Sequence, residues 1–288
     1  MASTLQLQRR IRSAQNISKT TKAMQMIAAS KLKKAQDAAL SSRPYVEKLL
    51  AVTGEVSKRV EKSARPLYMQ ERKDTGKTLY VVIGPDKGLC GALVTNLVRD
   101  LIKKADAQDS FITVGKKIEN PTAHISKNIV GSFEFGTTLP KFDMVYPIVK
   151  LIDEAFKSGK IDNVEILSTH FVNVFIQKPT QTHLLPIRPQ EEEVEKKETK
   201  TENDAFQLFE PNAEELLPDL LTRYTEMAIY QELIESYLSE QSAKLISMQN
   251  ATNNAKDIIE DLKLEYNKTR QAKITSELLD ITGSAVAN

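Results

Sequence analysis

From Asp219 to Thr282 the chain contains neither glycine nor proline. Leu217, Leu220, Tyr224, Met227, Ile234, Leu238, Leu245, Met248, Ala255, Ile259, Leu262 and Tyr266 recur there at mostly three- and four-residue steps. One apolar seam sustained over about seven heptads specifies a helix and little else. At 1.5 Å per residue it would be roughly 95 Å long, several times what a globular domain requires. Asn212, followed by Glu214 and Glu215, supplies an N-cap and an acidic first turn.

A helix that long with one apolar seam requires a second helix to cover it, and the N-terminal segment is the only candidate within the chain. Leu7, Ile11, Ala14, Ile17, Met24, Ala28, Leu32, Ala35 and Ala39 trace one face of a helix. Val46, Leu49, Leu50, Val56 and Val60 continue it in a second phase, with Pro44 expected to kink or interrupt the run. The two ends of the chain are therefore expected to pair as an antiparallel coiled coil. Seam positions such as Ala14, Ala28, Gln231, Gln241, Thr252 and Ala255 are small or polar. They favour close approach and torsional mobility over maximal stability.

The middle of the chain has a different texture. Thr78–Ile83, Ser110–Val114 and Val164–His170 read as strands, with helical patterns at Leu93–Ala105 and Val145–Lys157 between them. Such alternation specifies a small parallel or mixed sheet. Phe171–Gln177 and Thr182–Ile187 read as a later pair of strands. The fold class is thus α/β with long helical arms: a coiled coil of the terminal helices plus a small Rossmann-like domain. The expected divisions are an N-terminal coiled-coil helix over 1–60, an α/β domain over 76–207 and a C-terminal coiled-coil helix over 212–284. Residues 189–204 form an acidic, solvated loop within the middle domain.

Charge is unevenly spread. Residues 1–60 hold twelve Lys/Arg against three Asp/Glu, and residues 189–215 hold ten Asp/Glu against three Lys. A basic helix can face solvent, an acidic protein, nucleic acid or anionic lipid. Aromatics at 6%, with no tryptophan, and the acidic stretch speak against a nucleic-acid binder. No apolar run approaches the roughly 20 residues needed to span a bilayer. No apolar segment of secretory type follows Met1. A single cysteine, Cys90, cannot form an internal disulfide and suits a reducing compartment.

Gly84-Pro85-Asp86-Lys87-Gly88-Leu89-Cys90-Gly91 joins a strand to a helix, where a phosphate-cradling loop would lie. Its spacing is G-x-x-x-G-x-x-G, without a G-K-[ST] ending, which favours a tight structural turn. A nucleotide-binding α/β enzyme with helical arms is the alternative reading that this loop keeps open. His124, His170 and His183 are scattered without metal-ligand spacing, and no histidine lies near Cys90 in sequence. The sequence therefore offers no candidate catalytic, cofactor-binding or metal-binding residue.

Two patches at the chain ends are more specific. Lys19-Thr-Thr-Lys-Ala-Met-Gln-Met-Ile-Ala-Ala-Ser-Lys-Leu32 closely resembles the I-T-K-A-M-x-M-V-A-x-x-K-L hallmark of the ATP synthase γ family. Asn267-Lys-Thr-Arg-Gln-Ala-Lys-Ile-Thr-Ser-Glu277 is similar to that family's N-x-x-R-Q-A-x-I-T-x-E. Asp86–Gly91 and Met248–Ala255 resemble two further family stretches, so four motifs stand in order across almost the whole chain.

The resemblance implies a non-catalytic rotor shaft of a bacterial-type enzyme. Its terminal coiled coil threads a hexamer of alternating alpha and beta subunits, and its foot sits on the membrane c-ring beside the epsilon subunit. Lys19, Lys22, Met24, Arg270, Gln271 and Glu277 would then contact the beta subunits, with Lys31 and Lys33 extending the basic belt. Phe209 and Glu210 would lie near the c-ring and epsilon. Catalysis and nucleotide binding would belong to the alpha and beta subunits. The implied place is peripheral, on the cytoplasmic face of a bacterial plasma membrane, because the resemblance begins too close to Met1 to leave room for a transit peptide. The chain departs from the family at Asp280-Ile-Thr-Gly283-Ser284, one residue short or with serine for glycine, and at Gly84-Pro85, where Thr-Ser is commoner.

Overall fold

A computed structural model describes residues 3–72, 75–188 and 212–286, the side chains of Lys62 and of residues 280–286 excepted. The acidic stretch 189–204, Phe209 and Glu210 lie outside the described residues, as do the side chains of Asp280 and Ser284. The elements in order are α1 (Thr4–Lys58), β1 (Thr78–Ile83), α2 (Leu93–Lys104), β2 (Ser110–Val114), α3 (Lys116–Ile125), β3 (Ile129–Phe133), α4 (Val145–Lys157), β4 (Asn163–Phe171), β5 (Gln177–Leu185) and α5 (Ala213–Val286). Two compact units result: residues 1–30 with 244–288, and residues 31–243.

In the first unit the start of α1 pairs with the end of α5. Gln8 Nε2 donates to Tyr266 Oη at 2.9 Å, and the Thr21 and Thr252 hydroxyls meet at 2.8 Å. Positions rise along one helix as they fall along the other, so the pair is antiparallel. Leu7, Ala14 and Ala28 are buried from one side, and Met248, Thr252, Ala255 and Leu262 from the other. Ile17 and Met24, which the periodicity places on the seam, are instead 53% and 38% exposed. Ser18, Thr21 and Gln25 occupy the partly buried positions between Ala14 and Ala28. The reason is local chemistry: a threonine pair closes this stretch, and its small side chains bring the helices together.

In the second unit the sheet has the order β3-β2-β1-β4-β5. Four strands are parallel, and β5 runs antiparallel to β4. Five consecutive residues of β1, Leu79–Ile83, are buried, as a parallel strand covered on both faces must be. Tyr80, Val82, Phe111 and Leu167 pack with Leu97 and Leu101 of α2 and Ile118 of α3. The rings of Tyr80 and Phe111 stack at 5.8 Å. Val145, Ile148, Ile152 and Phe156 form the buried stripe of α4.

Three expectations change. Pro44 does not interrupt α1, which stays helical on both sides of it. Ser42 and Arg43, just before the proline, are tied to Gln231 and Glu235 of α5, and these ties hold the segment where one backbone hydrogen bond is lost. Phe171–Gln177 is not a strand: residues 172–176 form the turn between β4 and β5. There the Asn173 side chain accepts the amides of Phe175 and Ile176, both at 2.9 Å. The strand expected at Thr182–Ile187 begins earlier, at Gln177. The N-cap is as read, since Asn212 Oδ1 accepts the Glu215 amide at 2.9 Å and its Nδ2 donates back to the Glu215 carboxylate.

Candidate functional site

Ligands of open α/β sheets bind outside the carboxyl ends of the strands, where the strand order reverses. Here that crevice follows β1, between β2 on one side and β4 on the other. The glycine loop leaves β1 at this point. Gly84 donates its amide to Val114 O at 2.8 Å, and Gly115 sits at φ 112° with its Cα against the Gly84 carbonyl. A Cβ at Gly115 would overlap that carbonyl, so the pattern of glycines serves a close approach of two strand ends.

The anion position is taken by the protein itself. Asp86 Oδ1 accepts the amides of Lys116 (3.0 Å) and Phe135 (3.1 Å), and Oδ2 accepts that of Gly136 (2.6 Å). Burial works against its charge, but these three backbone donors and the nearby Lys116 ammonium hold its carboxyl below the usual carboxylate range. The N-terminus of α3 therefore carries a carboxylate of its own chain. The N-terminus of α2 is covered as well: Cys90 and Leu93 pack against Ala243 of α5. Ala243 thus covers the start of α2, and the tight-turn reading of the loop accounts for its geometry. Leu89, at φ 66° and 61% exposed, is the one non-glycine residue with positive φ among the described residues.

The residues singled out at the chain ends divide into two patches. Lys19, Lys22 and Met24 are exposed on one turn and a half of α1, and Lys22 Nζ lies 3.4 Å from Gln25 Oε1. Arg270, Gln271 and Glu277 are exposed on α5, where every residue from Arg270 to Leu279 is exposed. Glu277 lies 3.6 Å from Lys273, a solvated pair one turn apart. Thr252 lies beside Thr21, and Arg270 is eighteen residues further on, so about 27 Å of helix axis separates the patches. The structure does not gather these six residues into one site.

Exposed apolar side chains accompany both patches. Met26 and Ile27 stand beside the lysines, 61% and 56% exposed, and Ile274 and Leu278 beside Gln271, 48% and 58% exposed. Next to Tyr266 a cleft of about 430 Å³ carries Arg9 and Arg12. Its arginines were visible in sequence only as part of a charge count; the pairing of α1 with Tyr266 is what places them together. Lys31 is engaged elsewhere, donating to Thr137 O at 2.5 Å.

No described helix is long and apolar enough to cross a membrane, and no group of three metal-ligating side chains occurs among the described residues. The sequence profile of the family described as ATP synthase matches residues 3–287. A chain described as ATP synthase gamma chain from Polynucleobacter asymbioticus is 40% identical over 295 residues, covering all of both chains. One from Stenotrophomonas maltophilia is 36% identical over 293 residues, again covering all of both. One from Dehalococcoides mccartyi is 40% identical over 291 residues, covering all of this chain and 99% of the other. Among solved structures, the central stalk and c-ring of the Tetrahymena thermophila mitochondrial ATP synthase contains a chain similar in fold. The TM-score is 0.59 at 22% identity, over 81% of this chain and 99% of that one. A chain of the Euglena gracilis mitochondrial ATP synthase matches with TM-score 0.58 at 21% identity, over 92% and 94%.

Proposed function

The chain belongs to the ATP synthase gamma-chain family, and from that premise we propose that it is the rotor shaft of the enzyme's central stalk, without catalysis of its own. It couples ion flow through the membrane c-ring to ATP synthesis or hydrolysis in a hexamer of alpha and beta subunits. Epsilon and the c-ring are its partners at the foot, with Phe209 and Glu210 assigned to that contact. The place of work is peripheral, on the cytoplasmic face of a bacterial plasma membrane.

The observation that carries the reading is the paired-helix unit whose end is exposed on all sides from Arg270 to Leu279. An isolated globular protein gains nothing from so long an exposed stretch of helix, whereas a shaft turning inside a sleeve requires one. The Lys19, Lys22 and Met24 patch meets acidic segments of the beta subunits. Exposed pairs of this kind contribute at most about 1 kcal/mol each, so they guide the shaft without clamping it. Arg270, Gln271 and Glu277 meet beta-subunit loops higher on the shaft, at contacts that change with rotational state. Two separated patches suit this division, because contacts at different heights resist tilting of the shaft while leaving it free to turn.

Co-expression with alpha and beta subunits from the same source tests the assignment. A hexamer that retains one copy of this chain and hydrolyses ATP faster than alpha and beta alone supports it. A well-folded chain that neither joins the hexamer nor changes its activity refutes it.

A further inference from the structure

Every residue of α5 from Leu233 to Ala243 is buried, and six of those eleven are Glu, Ser or Gln. Burying polar groups is unfavourable unless each finds a partner, and an apolar helix would pack here without that demand. The partners are specific. Ser168 and Thr182, on β4 and β5, donate to the two oxygens of Glu232 at 2.5 and 3.0 Å. The Arg43 guanidinium of α1 pairs with one oxygen of Glu235; the other accepts no hydrogen bond within the described chain and faces His170 Nδ1 of β4 at 3.6 Å. Ser239 donates to Thr169 O at 2.8 Å, and Ser242 to Val174 O at 2.8 Å. Gln177 Nε2 donates to the Ser242 hydroxyl at 3.2 Å.

Positions 232, 235, 239 and 242 fall on one helix face. That face meets β4, the turn after it and β5, one polar contact per turn. Apolar surfaces resist separation but tolerate sliding, because the hydrophobic effect is non-directional. Hydrogen bonds of fixed geometry set both the axial and the rotational register, the attested role of buried polar groups in helix pairs. We propose that this polar seam is the clasp through which torque passes between the α/β domain and the shaft helix, with Glu232 and Glu235 as its positioning residues. The role rests on the rotor reading above. The domain and the buried stretch of α5 turn as one body because the seam forbids their slipping past each other.

The test uses the complete ATP synthase in sealed vesicles, with ATP hydrolysis and ion uptake (proton or sodium) measured together. Ser168→Val, Thr182→Val and Glu232→Leu in one chain replace one polar set by apolar groups, a change expected to leave stability equal or raised. Ions taken up per ATP should fall roughly threefold with hydrolysis retained. Glu232→Gln, which keeps acceptor and shape, should restore the ratio when introduced in place of the triple change. A purely structural role would move the melting temperature and leave the ratio alone. Ser239→Ala with Ser242→Ala changes little volume and assembles even where the triple variant does not; its ratio should fall about twofold. An unchanged ratio in the double variant, or in a stably assembled triple variant, overturns the clasp. Failure of the rotor reading looks different: the unsubstituted complex itself would hydrolyse ATP without ion uptake, and the clasp would fall with it.

Discussion

The amide of Gly136 donates to Asp86 Oδ2 at 2.6 Å, joining the loop after β1 to the loop after β3 across the carboxyl ends of β1, β2 and β3. With the Lys116 and Phe135 amides on its other oxygen, Asp86 is the knot that closes this edge of the sheet. Asp86→Ala leaves three backbone donors without their acceptor and should destabilise the chain by about 2–4 kcal/mol at neutral pH. Its carboxyl is held below the ordinary value of 3.8 in the folded chain, so this stability is present above pH 4 and is lost as pH falls through the lowered value. Thermal melts at pH 7 and pH 3 check both statements: the gap between wild type and variant should narrow in acid. An equal gap at both values would show that the charge of Asp86 is not what ties the knot.

Gly115 and Gly76 both have positive φ, yet they should respond differently to alanine. At Gly76, φ 64°, an added Cβ meets nothing within 4 Å. Gly76→Ala should therefore cost only the left-handed penalty of about 1–2 kcal/mol. At Gly115, φ 112°, the same methyl group runs into the Gly84 carbonyl, and the strand ends must part to admit it. Gly115→Ala should cost more than about 3 kcal/mol and lower the yield of folded protein. Paired melting curves of the two variants decide the matter, and similar losses would contradict the close approach of these strand ends.

Much of this architecture could be read from residue order, and the exceptions have physical causes. The three–four seam of α5, the Asn212 cap, and β1, β2 and β4 follow from periodicity and β-branched content. Helix α3 was not legible because Pro121 and the polar run around it weaken the pattern. Strand β3 was missed because Gly131 interrupts a five-residue edge strand with only partial burial. Ile17 and Met24 look like seam residues in sequence but are exposed, and that exposure makes them contact candidates instead. The polar seam of Glu232, Glu235, Ser239 and Ser242 was invisible, since such residues read as a solvent face until a sheet is found against them. The motif residues Lys19 and Arg270 were legible, but not the distance between them, which depends on the register of Thr21 with Thr252.

His183 introduces a pH dependence of opposite sense to that of Asp86. Its Nδ1 lies 2.7 Å from Glu165 Oε1 and its Nε2 2.9 Å from Pro186 O, bracing β5 against β4. The hydrogen bond to Glu165 raises its pKa above 6.5, against a smaller effect of burial. The charged ring thus stabilises the fold fully below pH 6.5, and that contribution disappears as pH rises through the raised folded value. Relative to wild type, His183→Gln should lose more melting temperature at pH 6 than at pH 9. A difference independent of pH would mean that the imidazole braces the strands without its charge.

Arg270 and Gln271 separate function from stability most cleanly. Both are exposed, and no side-chain hydrogen bond or ion pair of either is seen within the described chain; the Thr275 hydroxyl donates to the Gln271 backbone carbonyl at 2.9 Å. Replacing both with alanine removes no internal contact and raises helix propensity slightly, so the melting temperature should stay within the change expected for about 0.5 kcal/mol. Assembly with alpha and beta subunits should persist, because each patch is one of several along the shaft. Rotation driven by ATP, or ion uptake per ATP, should weaken by roughly three- to tenfold if these groups meet a beta-subunit loop whose position changes with rotational state. Measuring melting, assembly and coupling on one preparation separates the alternatives. Intact assembly with intact coupling removes the two residues from the mechanism, and lost assembly would make them a clamp and not a reader of rotational state.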